Sequence, residues 1–551
     1  MITFIEWLTL KSEEFAENTY LIDSNETVTY AENFAKIQLV MNRMSHVPPR
    51  SYVVFIGSGS IEAYQLYFAV IALQAVWIPF DYLLQRENLL PILNQLNPSL
   101  IIYDKEIFDL SESEFRTIEL AEIFSTLEQK NEYIEQPEPT TDRIISGYMT
   151  SGSTGKPKIV MHGWHATWFH ADETVKRYQL SSMKRLFNPR LLCHVSGAFP
   201  LTTLMHCGGS IVIPAKNSYS KKESDRIFDW AVLMVQTPNV THASFYPSEM
   251  QVYARLVEEN TQLRPSSLER ITTGGEEVEF SDLIHISRSF VRHRTCYDFM
   301  WGLYPLLGNT LPFEFIKIFY EFCYGRLVQI TQTYGATELI CNAVANSPLS
   351  GPDPRGIGSA IYSLNPEIID EQGTILPWDG EGVGRLRFFG SSIATCYFEC
   401  QELNLTKNCY QTSDLASIQP NGRITLFGRS ENLITLAGEK NKVNPVIMER
   451  IINKSCGQKS LVFENNNRLH AAIRLRSHTS EQQIIRSIKD NNDLALISTI
   501  SFWESFPLLQ GGKIDRKSIE KAVSEKEISL IEINGGVERS YFASYSSCQI
   551  F

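Results

Sequence analysis

The alternation of strand-like and helix-like apolar segments near the N-terminus constrains this chain more than any other feature. Residues 52–57 read YVVFIG, which is typical of a buried strand, and 60–76 form an apolar run of helical length. Short apolar segments at 76–79 and 100–103 predict two further strands. Strands that alternate with helices favour parallel pairing, because each helix returns the chain to the same edge of the sheet. The sequence therefore predicts an α/β fold.

The chain is too long for one hydrophobic core, because its 551 residues exceed the size at which single cores stop growing. Between 373 and 427, short strand-like runs alternate with turn sequences such as PWDG and PNG, which predicts a small β-rich subdomain. The short strand-like runs end near 428–431, and we place a domain boundary there.

The C-terminal part predicts a separate α+β unit, with a helix at 446–453 and a final helix from about Lys517. Beyond about residue 530 the sequence is rich in serine and has no clear period. We therefore expect a large N-terminal domain of layered α/β subdomains and a small, mobile α+β C-terminal domain. The expected ranges are 1–428 for the first domain, 429–529 for the second and 530–551 for a tail.

Charge and composition exclude several classes of function. The net charge of −12 disfavours a nucleic-acid partner, because phosphate contacts need a positive face. The most apolar stretch, 64–80, contains Gln65 and Gln74 and is short for a membrane span. No basic segment precedes an apolar run at the N-terminus, and the ten cysteines contain no CxxC pair. We therefore expect a cytoplasmic protein with reduced thiols and no membrane span.

A loop rich in glycine, serine and threonine follows a strand-like run at 144–149. Residues 150–158 read TSGSTGKPK, a composition that lets backbone N–H groups and hydroxyls approach phosphate oxygens. A Walker loop is excluded, because Pro157 follows Lys156 and Thr150 occupies the position of the first glycine. Taken alone, this motif fits a surface turn equally well.

Four further segments follow this loop in a characteristic order. Together with it they resemble the signatures of the adenylate-forming superfamily, which includes acyl- and aryl-CoA ligases, firefly luciferase and the adenylation domains of peptide synthetases. The resemblance extends to about residue 522. Its segments are YMTSGSTGKPKIVMH at 148–162, QTYGATE at 332–338, YQTSDL at 410–415, GRSENLITLAG at 428–438 and PLLQGGKIDR at 507–516.

The resemblance implies a site for ATP and Mg²⁺. Thr337 would offer its hydroxyl to an α-phosphate oxygen, and Glu338 would be the carboxylate associated with Mg²⁺. The same motif contributes Tyr334, Gly335 and Ala336. The residues that would hold the leaving phosphates are Thr150, Ser151, Gly152, Ser153, Thr154, Gly155 and Lys158.

The other implied nucleotide contacts lie further along the chain. Asp414 would accept hydrogen bonds from the ribose hydroxyls, which suits a group with acceptors only, and Arg429 would reach the nucleotide. Lys513 would be the adenylation lysine, bridging the substrate carboxylate and the α-phosphate. The glycine pair near the adenine ring would be Gly274, Gly275 and the following Glu276.

The family transfers its acyl group after one domain rotates. Glu431 occupies the hinge position, where aspartate or lysine is usual, and Gly438 begins the turn past which pantetheine would pass. That turn is about two residues longer than usual. The expected acceptor is CoA, and an acyl-carrier protein is the alternative.

His194 indicates the kind of acid. Residues 193–197 read CHVSG and resemble the segment that lines the carboxylate pocket in aryl- and acyl-CoA ligases, including o-succinylbenzoate–CoA ligase. Peptide-synthetase adenylation domains carry an aspartate there that pairs with the substrate ammonium, and 191–200 contain none. Because an unpaired buried ammonium is costly, a plain carboxylic acid is favoured.

Residues 281–330 are longer than the usual spacer and rich in aromatic side chains. A helical hairpin with its own core, a wall of the acyl pocket and a docking surface all fit this composition. The aromatic residues are Phe299, Trp301, Tyr304, Phe313, Phe315, Phe319, Tyr320, Phe322 and Tyr324.

Three hypotheses for the whole chain remain open on the sequence. The first is a carboxylate–CoA ligase, the second an adenylating enzyme that loads a carrier-protein thiol, and the third a nucleotide-binding protein without turnover. The presence of Lys513, Glu338 and Asp414 disfavours the third. Zinc at the cluster of His162, His165 and His170 is disfavoured, because zinc needs a tetrahedral set of ligands and His165 and His170 are not i, i+4 partners.

Overall fold

The structure is a computed structural model, and its residues form two compact units. The first comprises Met1–Asn365 with Phe388–Tyr410, and the second comprises Pro366–Arg387 with Gln411–Phe551. The residues that the structure describes are 2–82, 84, 86–108, 110, 114–125, 143–150, 158–216, 218, 221–275, 280–291, 294–307, 311–324, 327–345, 358–398, 408–435, 442–456, 458–475, 480–507, 514–533 and 549–550.

The larger sheet of the first unit has nine strands within the described residues. Its six central strands are parallel, and the last strands at each edge are antiparallel to their neighbours. From edge to edge the strands are β15 (Ser359–Ala360), β14 (Val344–Ala345), β13 (Gln329–Tyr334), β12 (Arg270–Gly274), β11 (His242–Phe245), β9 (Arg185–Phe187), β10 (Ser210–Val212), β1 (Thr19–Ile22) and β2 (Thr27–Thr29).

The second sheet of this unit has seven strands over the same described part of the chain. Five are parallel, and a hairpin with one short strand completes the edge. In spatial order they are β18 (Cys396–Tyr397), β8 (Lys158–Gly163), β7 (Ile144–Thr150), β4 (Val76–Phe80), β3 (Tyr52–Ile56), β5 (Leu100–Tyr103) and β6 (Thr117–Glu119).

Helices cover these sheets. Thr3 with Glu6, and Thr29 with Glu32, form capping boxes that satisfy the first N–H groups of the first two helices. The helices are α1 (Phe4–Glu14), α2 (Tyr30–Arg43), α3 (Ile61–Ala72), α4 (Arg86–Leu96), α5 (Leu120–Ser125), α6 (Trp164–Tyr178), α7 (Val195–Cys207), α8 (Glu223–Gln236) and α9 (Pro247–Glu259).

Helix α3 is the most deeply buried of them. Every residue except Glu62 is buried, which explains why its sequence is apolar on all sides. The sequence predicted a helix to residue 76, but the helix ends at Ala72. Gln74 adopts a left-handed backbone with φ +62°, which turns the chain into β4. No helix among the described residues is long and apolar enough to cross a membrane.

The aromatic-rich segment 281–330 is helical. Tyr297, Met300, Tyr320 and Leu327 form a small core of their own, against which Ile316 packs. The helices are α10 (Phe280–Ser289), α11 (Arg294–Gly302), α12 (Tyr304–Leu307) and α13 (Leu311–Tyr324).

The second unit contains most of a four-stranded sheet and a separate α/β layer. The four strands, in spatial order, are β16 (Leu364–Ile369), β17 (Gly384–Gly390), β19 (Cys409–Ile418) and β20 (Ile424–Arg429). The remaining elements are β21 (Lys442–Val443), α14 (Pro445–Cys456), β22 (Lys459–Asn465), β23 (Arg468–Arg474), α15 (Glu481–Lys489), β24 (Ile497–Trp503), α16 (Arg516–Ser524), β25 (Ile531–Glu532) and β26 (Gln549–Ile550).

The predicted α/β class is confirmed by the parallel strands of both large sheets. Most of the predicted β-rich subdomain belongs to the second compact unit, together with the C-terminal α+β elements. A mobile domain over 429–529 remains a prediction. Ordered structure continues past residue 530, where the sequence predicted a tail, because Ile531 pairs with Ile500 at the edge of the C-terminal sheet.

Candidate active site

The carboxyl ends of β12 and β13 bring two predicted nucleotide-binding segments side by side. The strands are parallel, and Gly274 is in register with Thr333. A Cβ on Gly274 would lie 2.4 Å from the Thr333 hydroxyl oxygen, so this approach requires glycine. Gly275 follows with φ +90°, and a Cβ there would lie 3.7 Å from the ring of Tyr246. The predicted glycine pair therefore adjoins the strand that ends at Tyr334.

A tight turn after β13 directs the next predicted residues inward. A Cβ on Gly335 would lie 1.4 Å from the carbonyl oxygen of Cys341, so a larger residue would displace the backbone. Ile340 closes the turn with φ +63°. Thr337–Leu339 form a single 3-10 turn. Glu338 is consequently held in the interior, with 8% of its surface exposed.

Glu338 is linked through Tyr397 to the strand that begins at Lys158. The Tyr397 hydroxyl donates to Glu338 Oε1 at 2.7 Å, and Lys158 Nζ lies 5.2 Å from the centre of the Tyr397 ring. The backbone supports this contact, because Ala394 N–H donates to the Glu338 carbonyl at 2.8 Å and Tyr397 pairs with Val160. A carboxylate, a phenol and an ammonium group therefore lie together.

His162 fixes the same turn from strand β8. Its Nε2 lies 2.8 Å from the Thr337 carbonyl oxygen, and this contact requires the proton on Nε2. Burial lowers the pKa of His162 to about 4, so its ring is neutral at pH 7. On the neighbouring strand, Thr150 pairs with Lys158. We name Lys158, His162, Thr337, Glu338 and Tyr397 the hairpin cluster.

His194 lies at the N-terminus of α7, next to two groups of different chemistry. A His194 ring nitrogen, the Cys193 sulfur and a carboxylate oxygen of Asp81 all lie within 4.8 Å of one another. Burial, and secondarily the charge of Asp81, raise the pKa of Cys193, so the thiol is protonated at neutral pH. A protonated thiol is a poor metal ligand, and three donors fall short of a tetrahedral set. We name Asp81, Cys193 and His194 the polar wall.

A buried charge cluster lies close to this wall. Arg190 Nη1 lies 3.0 Å from Glu249 Oε2, and Arg226 Nη2 lies 3.7 Å from Glu249 Oε1. The Arg190 guanidinium stacks on Tyr246 with its carbon 3.5 Å from the ring centre. The Tyr246 N–H also donates to Glu249 at 2.8 Å. Two arginines therefore already neutralise the Glu249 carboxylate.

Three further residues of the predicted site lie in the second unit, and we name them the ribose-side trio after the role predicted for Asp414: Asp414, Arg429 and Glu431. Asp414 on β19 is in register with Arg429 on β20. Arg429 Nε lies 3.7 Å from Asp414 Oδ1, and its Nη1 lies 3.4 Å from Glu431 Oε1. The Arg429 side chain is 57% exposed, Glu431 42% and Asp414 21%. Solvent therefore screens this trio strongly.

Several predicted residues lie outside the described part of the chain. These residues remain predictions: Ser151, Gly152, Ser153, Thr154, Gly155, Glu276, Gly438 and Lys513.

Sequence reasoning missed three residues that the structure brings to the site. Tyr397 belongs to no motif, and its only signal is a short apolar run before a polar segment. Arg190 directly precedes the apolar residues Leu191 and Leu192, and an arginine beside such a run is a signal for a buried ion pair. Asp81 follows β4 directly, and a carboxyl end of a parallel strand is where ligands bind in such sheets. A carboxylate therefore lies near His194 even though residues 191–200 contain no aspartate.

Comparison with known proteins defines the class. Residues 8–398 match the family described as AMP-binding enzyme, and the chain belongs to this family of adenylate-forming ligases.

Individual relatives are distant. Bacitracin synthase 2 from Bacillus licheniformis is 21% identical over 95% of this chain, which spans only 19% of that protein. The 4-hydroxybutyrate–CoA ligase 2 of Metallosphaera sedula is 21% identical over 84% of this chain and 82% of its own length. The o-succinylbenzoate CoA synthetase of Bacillus subtilis, solved with ATP and magnesium ion, has a TM-score of 0.71 at 20% identity and covers 93% of this chain and 99% of its own. Peptide synthetases and CoA ligases are therefore both represented.

Proposed function

We propose that this chain activates an aryl or acyl carboxylic acid as its acyl-AMP, releases pyrophosphate, and transfers the acyl group to the thiol of CoA. The hairpin cluster is the observation that carries the proposal. It joins the strand after the predicted phosphate loop to the turn that bears Thr337 and Glu338, through Tyr397. This arrangement supports a site for phosphates at the end of the β7–β8 hairpin.

The hairpin cluster fits Mg²⁺. Glu338 is a carboxylate in the interior with one oxygen engaged by Tyr397, and a single carboxylate suits an ion that otherwise binds water and substrate phosphates. When bound, Mg²⁺ would neutralise phosphate charge as pyrophosphate leaves. Tyr397 orients Glu338, and neutral His162 fixes the Thr337 carbonyl without adding positive charge.

The first step is a displacement at the α-phosphorus. A carboxylate oxygen of the acid forms a bond to phosphorus, and the bond to the bridging oxygen breaks, so pyrophosphate leaves with the electron pair. Thr337 would donate its hydroxyl to an α-phosphate oxygen, and Lys513 would approach the substrate carboxylate. In the second unit, Asp414 would accept from the ribose hydroxyls and Arg429 would meet the nucleotide.

The second step transfers the acyl group to a thiol. The thiolate sulfur attacks the acyl carbonyl, and AMP leaves with the electrons of the broken bond. Rotation about Glu431 would bring the turn at Gly438 to the site, so that pantetheine passes it. Lys440 and Lys442 on this turn would meet the phosphates of CoA. Loading of a carrier-protein thiol is the alternative for this step.

The buried charge cluster of Arg190, Arg226 and Glu249 supports a plain carboxylic acid. The carboxylate of Glu249 is neutralised by Arg190 and Arg226, and is therefore poorly placed to receive a substrate ammonium. One observation favours a second candidate. Asp81 lies within 4.8 Å of His194 and Cys193, where its charge would pair with an ammonium group. An amino acid is therefore the competing substrate class.

Pyrophosphate exchange across a library of plain acids and amino acids tests the first step. Selective exchange with plain acids, unchanged in Asp81→Asn, supports the proposal. Selective exchange with one amino acid, lost in Asp81→Asn, would replace it with the peptide-synthetase function. Absence of exchange with every acid would leave a nucleotide-binding protein without turnover.

Thioester formation with the best acid tests the second step. We expect free CoA to be acylated, and Lys440→Glu with Lys442→Glu to raise KM for CoA several-fold while pyrophosphate exchange stays unchanged. Lys176→Glu, an exposed lysine on α6, is the matched control. A fall in both steps would make the turn structural. If carrier thiols are acylated and CoA is not, the carrier-loading alternative holds.

A further inference from the structure

Helix α13 carries apolar residues on two sides. Its inner side includes Ile316 and Tyr320, which pack into the small core of the insertion. Its outer side carries Phe315, Ile318, Phe319 and Phe322, spaced as one helical stripe, and we name these four the outer stripe. They are 62%, 59%, 67% and 87% exposed, respectively. A helix that is apolar on both sides is normally covered on both sides.

The exposed area is large for a surface that stays in water. With aromatic side chains of roughly 200 Å² each, the outer stripe presents roughly 500 Å² of apolar surface. A contiguous patch of this size usually marks an interaction site. Phe299 on α11 and Leu306 on α12, 68% and 80% exposed, belong to helices that pack against α13. They bring the total close to the ~800 Å² that each partner buries in a standard interface.

We propose that the outer stripe is the interface with a second copy of this chain. Its residues are arranged almost symmetrically about their centre, with Ile318 and Phe319 in the middle and phenylalanines at 315 and 322. A two-fold axis between two antiparallel α13 helices therefore places Phe315 opposite Phe322 of the partner copy, which is the self-complementarity that such a dimer needs. The stripe is also entirely apolar, as homodimer interfaces tend to be.

Charge argues against a membrane as the occupant. Helix α13 carries Glu314, Lys317 and Glu321, and the chain has a net charge of −12. Interfacial helices are attracted to anionic lipid by an excess of lysine and arginine on their polar side. Helix α13 has no such excess, because it contains one lysine and two glutamates. This interface does not depend on the acid or acceptor proposed above, because its residues lie in the helical insertion.

The test measures the mass of the full chain by sedimentation across concentrations up to about 50 µM, a range that covers micromolar association. We expect wild type at twice its 62.8 kDa chain mass. Phe319→Glu with Phe322→Glu should weaken association by ~100-fold or more, because two apolar anchors become like charges across the axis. Pyrophosphate exchange per chain should stay unchanged. Phe228→Glu with Val235→Glu on α8 is the matched control and should remain dimeric.

A charge-swap experiment locates the axis. Phe319→Glu and Ile318→Lys should each be monomeric alone and associate when mixed, because position 319 of one copy lies opposite position 318 of the other in this antiparallel arrangement. Wild type that is monomeric at every concentration would overturn the proposal. So would a dimer that survives Phe319→Glu with Phe322→Glu, since another surface would then hold it. Monomers that bind vesicles of anionic lipid through the outer stripe would show a membrane site instead.

Discussion

The hairpin cluster and the ribose-side trio hold their charges in opposite ways. In the hairpin cluster, Glu338 is nearly buried and receives a hydrogen bond from Tyr397 at 2.7 Å, while His162 fixes the adjoining turn. In the ribose-side trio, Arg429 is more than half exposed and lies 3.4 to 3.7 Å from its two carboxylates. The first is ordered by the protein before ligand arrives. The second is screened by water.

We expect substitutions in the two groups to have different effects on stability and on ligand binding. Each residue of the hairpin cluster contacts another member, so changing one should disturb both geometry and chemistry. Residues of the ribose-side trio make weak ion pairs, so changing one should affect ligand binding with little effect on stability.

The largest effect is expected from Lys513→Ala. In the proposed role, the Lys513 ammonium would stabilise charge that concentrates at the α-phosphate during reaction, so its loss should slow pyrophosphate exchange by about 10²- to 10³-fold. ATP binding, measured by calorimetry, should remain nearly unchanged. Lys517→Ala, a nearby lysine on α16, is the control. Exchange at the parent rate would show that Lys513 is not the adenylation lysine.

Glu338→Gln should have the next largest effect. It removes the anionic oxygen beside the phosphates while keeping the size, so we expect adenylation to slow by about 10- to 100-fold and the Mg²⁺ requirement to rise. Tyr397→Phe should slow it only a few-fold, because the carboxylate remains but loses its orienting bond. An unchanged Mg²⁺ titration in Glu338→Gln would remove the metal role.

The pKa of His162 predicts a loss of stability in acid. Burial lowers this pKa from 6.5 to about 4, so between these values the unfolded chain binds a proton that the folded chain resists. Stability is therefore complete above about pH 6.5 and falls as pH drops towards 4, by about 2 kcal/mol at pH 5 for this residue. His162→Gln keeps a donor to the Thr337 carbonyl. The free energy of unfolding, measured in urea at several pH values, should therefore fall less steeply with decreasing pH in this variant than in wild type.

The pH dependence of stability can be compared with that of a buried histidine in the second unit, His470. Burial also lowers the pKa of His470 to about 4, so His470→Gln should remove a similar share of the acid loss. An identical slope in wild type and His162→Gln would mean that His162 is protonated in the folded state.

The smallest effect is expected on stability in the ribose-side trio. Arg429→Ala should change the free energy of unfolding by no more than about 0.5 kcal/mol, because exposed ion pairs contribute little. Its KM for ATP should nevertheless rise several-fold. A loss of stability above about 1 kcal/mol, the top of the range for such pairs, would show that the trio holds the fold together.

The sequence predicted the local elements better than their assembly. The strand at 52–56 and the strand before the loop follow from apolar runs between turn residues, and both are present. Proximity across long sequence separations leaves no local pattern. Tyr397 reaches Glu338 across 59 residues, and Arg190 reaches Glu249 across the same separation. Asp81 was overlooked for the same reason, since its position near His194 depends on how the two sheets pack.

The turn at Gly335 also limits how the protein can be engineered. A library that randomises residues around the turn and the polar wall should recover diversity at His194, whose side chain is exposed. At Gly335 the surviving clones should all encode glycine, because the Cys341 carbonyl oxygen occupies the place of a side chain. Randomising Gly335 would therefore produce inactive clones without changing which acids the active clones accept. A library that leaves Gly335 unchanged would cover the variants at the other positions more completely.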